Sequence, residues 1–226
     1  MDSSFAERIQ MMTIQIVPFF MAIVLHEFGH GLVAKMWGDR TATDAGRLTL
    51  NPLAHVDPIG TVAIPMINMI TGIPLLFGWA KPVPINPTRF RKYRPGLFWV
   101  SVAGPGTNII TGFLAALVFG VFYKYVTPEF SLYEPLLKMM VAGIQINFAL
   151  ALFNLLPLPP LDGAKILESF LGYNASQMLQ QVERYSFFIL IALLWSNALV
   201  FLNGPISFLT HLALGVSQAI FGFSFA

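Results

Sequence analysis

Long apolar blocks, separated by short polar connections, dominate the pattern along this chain. The first block covers residues 9–25, is interrupted by His26-Glu27-Phe28-Gly29-His30, and resumes at Gly31-Leu32-Val33-Ala34. It predicts a helix from about residue 7 to 37, longer than the roughly 20 residues a bilayer requires, kinked at Pro18 and ended by Gly38-Asp39. Residues 97–123, 136–156 and 186–202 read as further spans, while 205–225 either spans or lies flat at the interface. Residues 59–79 are apolar and long enough, but Gly60, Pro65, Gly72, Pro74 and Gly78 break them up. They form a broken span or a re-entrant hairpin, and the charges on either side favour re-entry. Residues 47–50 alternate as a short strand, and residues 82–86 are its candidate partner. The expected fold is all-α and polytopic, with five to six membrane segments, a re-entrant hairpin and a small β-hairpin or sheet.

Composition strengthens this picture. Only 11% of residues are charged, against about 25% in soluble domains. A formal charge of +2 is too small to suggest a nucleic-acid partner, and the lipid bilayer is the expected surroundings. The chain has no cysteine, which excludes disulfides and thiolate chemistry. Asp2 and Glu7 outweigh Arg8, and no cleavage signal follows the first apolar run, so that run reads as a retained span. One integral-membrane domain over residues 1–226 is expected, with a core at about 7–171 and C-terminal membrane segments at about 184–226.

His26, Glu27 and His30 stand where charge is costly, so they require a compensating role. On a helix the i, i+4 spacing puts both imidazoles on one face, where they can bind zinc, and Glu27 is placed to take a proton from an attacking water. A structural hydrogen-bond cluster between helices is the plainer reading, and three unpaired polar groups in lipid argue against it. A catalytic zinc site needs a third protein ligand. Among the few acids, Asp162 follows a span and the rigid Pro157-Leu158-Pro159-Pro160-Leu161 break. Local pattern alone leaves it equally a ligand or a helix N-cap.

His26-Glu27-Phe28-Gly29-His30, then Gly104-Pro105 with Asn108, then Asn154-Leu155-Leu156-Pro157-Leu158-Pro159-Pro160-Leu161-Asp162-Gly163 resemble, in order, the motifs of the site-2 protease family of intramembrane zinc metalloproteases. Residues 51–58 and 78–84 further resemble a compact prokaryotic branch, in which large PDZ or nucleotide-sensing domains are not expected. The resemblance implies His26, His30 and Asp162 as ligands of one Zn2+ and Glu27 as the catalytic base. Its implied activity is endopeptidase cleavage within or near transmembrane segments of membrane-protein substrates.

Asn108 and Asn154 are candidate donors to the oxyanion, since their amides cannot ionise at membrane depth. For Asn108 the alternative is interhelical packing, and for Asn154 a helix C-cap. The strand at residues 47–50 would hold an extended substrate by strand addition. His55 and Asp57 read equally as a polar pair near the water entry or as solvated loop residues. Lys81, Arg89, Arg91, Lys92 and Arg94 form the densest basic cluster, which places that loop in the cytoplasm and the active site toward the inner face of the cell membrane. The competing functions are a catalytically idle scaffold or chaperone for transmembrane helices, and a different membrane zincin with a glutamate as third ligand.

Overall fold

The computed structural model describes residues 3–64, 66–67, 80–196 and 198–223. Three long helices build the frame: α1 (Ser3–Met36), α2 (Tyr93–Tyr125) and α3 (Tyr133–Asn154), each packed against the other two. Four shorter elements follow: α4 (Asp162–Phe170), α5 (Tyr173–Glu183), α6 (Ser186–Trp195) and α7 (Asn203–Phe221). α4 docks on α2, and α7 docks on α2 and α3. Among the described residues, the segments long and apolar enough to cross a bilayer are Met12–Met36, Tyr93–Tyr125, Tyr133–Asn154 and Ala198–Phe221.

The outward faces explain why these helices are apolar almost all round. Ile110, Leu114 and Val118 on α2 are exposed at four-residue spacing, as are Phe208, Leu212, Val216 and Ile220 on α7. Residues four apart share one helix face, so each helix presents a continuous apolar stripe. Water would penalise such stripes and lipid does not. With lipid outside, expulsion of water does little to hold helices together, and close packing must do it. Gly29 lets α1 approach Thr107 and the Ala103 carbonyl of α2, and Gly112 leaves room for the Phe148 ring of α3. Phe148 in turn meets Phe113 edge-on, with centroids 5.4 Å apart, inside a core shared with Ala116, Phe119, Ile144 and Ala213.

α1 ends at a tight turn. Gly38 takes a φ of 109°, which a side chain would oppose, and Asp39 N–H folds back onto the Ala34 carbonyl at 2.9 Å. Asp39 is thereby buried at 1% exposure beside the segment formed by residues 81–86.

Two expectations need correction. The span drawn at residues 186–202 is divided: α6 has 10 residues, about 15 Å of helix, half of what a bilayer requires. It stops where the Ser196 hydroxyl donates to the Leu193 carbonyl and satisfies a terminal acceptor. The spanning helix lies further on, in Ala198–Phe221, so the segment that either spans or lies flat is the one with spanning length. The β element also fails to appear, as no strand is present among the described residues. Residues 47–50 and 81–86 are adjacent, and one side chain joins them: Arg47 Nη2 donates to the carbonyls of Lys81 at 2.9 Å and Pro82 at 3.3 Å. Of residues 59–79, the stretch up to Ala63 belongs to a π-helical turn, Pro58–Ala63, capped by Asp57. Most of the rest lies outside the described residues, and with it the choice between a span and a hairpin.

Candidate active site and metal centre

His26 and His30 sit one turn apart on the second half of α1, with rings 4.6 Å between centroids. Helical periodicity aims both inward at α2 and at the start of α4. Their Nε2 atoms are 3.0 Å apart, and each is 3.1 Å from Asp162 Oδ2. All three residues are buried, at 6–7% exposure. Asp162 does not cap its helix: Leu161 holds the cap position without a side-chain bond, and the carboxylate turns to the imidazoles. Gly163 permits this, because a Cβ there would overlap the Leu155 and Leu156 carbonyls at the end of α3.

Several features show that this cluster suits a cation. His30 Nδ1–H donates to the Val100 carbonyl at 2.6 Å, and His26 Nδ1–H donates to Asn108 Oδ1. Both acceptors are carbonyl oxygens, so in the neutral rings the hydrogen sits on Nδ1 and each Nε2 presents a lone pair. Two such lone pairs and a carboxylate oxygen then converge on one point. That is a repulsive arrangement by itself and an apt one for a metal with N and O ligands. Gly104 of α2 keeps the point open, since a Cβ there would overlap Nε2 of both histidines.

A cavity of about 670 Å3 opens onto this cluster, lined by His26, Glu27, His30, Val83, Asn154 and Asp162 among others. The exposed Lys165 and Glu183 mark its open side. Glu27 Oε2 accepts the Val83 N–H at 2.6 Å, which fixes the carboxylate on the cavity wall. The segment that carries Val83 is fixed in turn. Lys81 N–H meets the His55 carbonyl at 2.9 Å, and Asn86 N–H meets Asp39 Oδ2 at 2.6 Å. His55 is fully buried and donates Nε2–H to the Thr49 carbonyl at 3.0 Å, while Asp57 caps the turn that follows, so each has its own structural partner.

The two asparagines separate. Asn154 lines the cavity and uses one amide hydrogen on the Leu150 carbonyl, at 3.0 Å. Asn108 lies behind His26, wholly buried, with Nδ2 donating to Ala22 O at 3.0 Å and to Asn147 Oδ1 at 2.9 Å. The oxyanion role expected of Asn108 does not fit this placement, because both amide hydrogens are engaged away from the cavity. Reading the sequence alone missed the Val83 N–H, the open space at Gly104 and any task for Asn147. Asn147 carried a signal as an amide inside an apolar span, and Gly104 as part of the Gly104-Pro105 motif, though neither signal disclosed the task.

A buried donor set of two histidines on a helix of membrane length and one aspartate on the short α4, with a glutamate on the same cavity, has the composition of a membrane metallohydrolase centre. Comparison with known proteins specifies it. Residues 124–197, which include Asn154 and Asp162 but not the two histidines, match the family described as Peptidase family M50. The chain is 36% identical over 194 residues to "Putative zinc metalloprotease YwhC" of Bacillus subtilis, covering 85% of each chain. It is 31% identical over 184 residues to "Putative zinc metalloprotease Rip2" of Mycolicibacterium smegmatis, covering 81% of this chain and 67% of that relative. No solved structure matches it. The chain belongs to peptidase family M50, the site-2 protease family, and is a multi-pass membrane metalloprotease.

Proposed function

We propose that this protein is an intramembrane zinc endopeptidase that cuts peptide bonds within or near the membrane segments of transmembrane or membrane-anchored proteins. The convergence of His26 Nε2, His30 Nε2 and Asp162 Oδ2, with Glu27 on the wall of the same cavity, carries this reading. These three atoms would hold one Zn2+. When bound, zinc supplies Lewis acidity toward water and toward the scissile carbonyl.

The remaining work falls to the chain itself. Glu27 takes a proton from the attacking water and delivers it to the leaving amine, with Val83 N–H holding its other oxygen in place. Asn154 has an amide hydrogen to offer the oxyanion. The open side of the cavity admits the attacking water, and the substrate helix must unwind there to expose the reacting bond. The basic residues Lys81, Arg89, Arg91, Lys92 and Arg94 are all exposed on the segments that flank the site, which supports a cytoplasmic active site in the cell membrane.

The test combines metal content with cleavage of a reporter transmembrane substrate by purified protein. Glu27→Gln is expected to keep zinc and to lose cleavage by at least about 100-fold, within the range for a general base. Asp162→Ala is expected to lose zinc. Wild-type zinc and cleavage in Asp162→Ala would remove the aspartate from the ligand set.

A further inference from the structure

Asn147 of α3 lies about two turns before Asn154 and touches neither the cavity nor the three donor residues, yet its hydrogen bonds run directly to one of them. Its Nδ2–H donates to the Gly143 carbonyl at 2.8 Å, and its Oδ1 accepts from Asn108 Nδ2 at 2.9 Å. Asn108 Nδ2 also donates to the Ala22 carbonyl at 3.0 Å, and Asn108 Oδ1 accepts from His26 Nδ1. Asn147 is 4% exposed and Asn108 wholly buried, so both amides are shielded from bulk solvent.

This chain of bonds has a direction. Gly143 O can only accept, so the amide nitrogen of Asn147 must face it and the oxygen must face Asn108. Asn108 then turns its nitrogen toward Asn147 and Ala22 and its oxygen toward His26. His26 Nδ1 must carry the hydrogen, and Nε2 is left with the lone pair. Reversing either amide would bring oxygen against oxygen in a buried place, at the full cost of unsatisfied polar groups. Amides that merely held helices together would need no such polarity. For His30 the Val100 carbonyl does the same task in one step.

We infer that Asn147 is a positioning residue for metal binding. Acting through Asn108, it sets the tautomer and ring orientation of His26 from a helix that carries neither histidine. The inference rests on the proposed zinc site and adds to it a residue 121 positions away in the chain from the ligand it serves. Outer partners of metal-bound histidines typically contribute 10- to 100-fold in metal affinity.

The experiment is a double-mutant cycle on zinc affinity, measured by chelator competition, with wild type, Asn108→Ala, Asn147→Leu and the pair. Asn147→Leu is expected to raise the zinc Kd at least about tenfold. In the Asn108→Ala background the same change should add less than about twofold, because the link is already cut. A merely structural role would weaken binding equally in both backgrounds, and that additivity would overturn the inference. So would an unchanged Kd in Asn147→Leu. Should Asn147→Leu fail to fold, nitrogen NMR of histidine-labelled wild type loaded with zinc gives an independent answer: zinc on His26 Nε2 with hydrogen on Nδ1 supports the relay, and zinc on Nδ1 overturns it. Absence of zinc from the wild-type protein removes the metal site itself, an outcome distinct from zinc binding that ignores Asn147.

Discussion

Gly104 faces the two Nε2 atoms from α2, and a methyl group there would overlap both. Gly104→Ala should therefore lower zinc affinity at least about tenfold while leaving helical content unchanged, as read by chelator competition and circular dichroism. Wild-type affinity in that variant would show that the space is not needed for metal. At this scale the sequence was informative where chemistry and spacing coincide. His26, Glu27 and His30 were legible from one helical turn, whereas the position of Asp162 after the proline break suited a ligand and a helix N-cap equally, and the family resemblance alone favoured the ligand. Asn108 was legible as functional but not in its role. Its partners are Ala22, 86 positions away, and Asn147, 39 positions away, and the direction of an amide is written only in such contacts. The Val83 N–H that holds Glu27 left no trace at all, because every residue except proline carries that group.

Residues 81–86 form the element most dependent on other parts of the chain. Asp39 holds the Asn86 end, Arg47 and His55 hold the Lys81 end, and Val83 between them meets Glu27. Burial would raise the Asp39 pKa, but bonds from Thr41 and from Asn86 N–H, together with the Arg89 charge, outweigh it and lower the pKa below its usual value. A carboxylate with a depressed folded pKa stabilises the fold above its unfolded pKa of about 3.9 and ceases to do so as pH falls through the folded value. Asp39→Asn should thus lower the melting temperature at pH 7, and the gap to wild type should narrow as pH is taken below about 4. A gap that stays constant across that range would show that the charge of Asp39 does not tie down the segment. The alternation at residues 47–50 was read as a strand because period and residue type both suited one. Arg47 instead reaches across with its side chain to the Lys81 and Pro82 carbonyls. The break after α6 was equally hard to foresee, since hydropathy hardly changes across it and one serine hydroxyl helps to end the helix.

Across the whole molecule, the second half of α1, the first half of α2, the end of α3 and the start of α4 meet at one end of the bundle, which is also the basic end. The absence of cysteine makes this orientation easy to test. Lys92→Cys should react with a membrane-impermeant maleimide only when the cytoplasmic face is accessible, and Glu129→Cys only from the opposite face. Labelling of Lys92→Cys in intact cells would invert the proposed topology. The spans that contain residues 12–36, 97–123 and 136–154 were legible at this scale because hydropathy is a property of composition and not of contacts.

His30 stands six residues before the end of α1, which along a helix is about 9 Å. For the proposed reaction, that offset acts as a ruler. If the end of α1 lies at the membrane face, a substrate helix cut at this depth would be divided unequally, into a short apolar stub and a longer remnant. The position of two histidines along one helix would thus decide which half of a severed protein is set free in the cell and which is left behind.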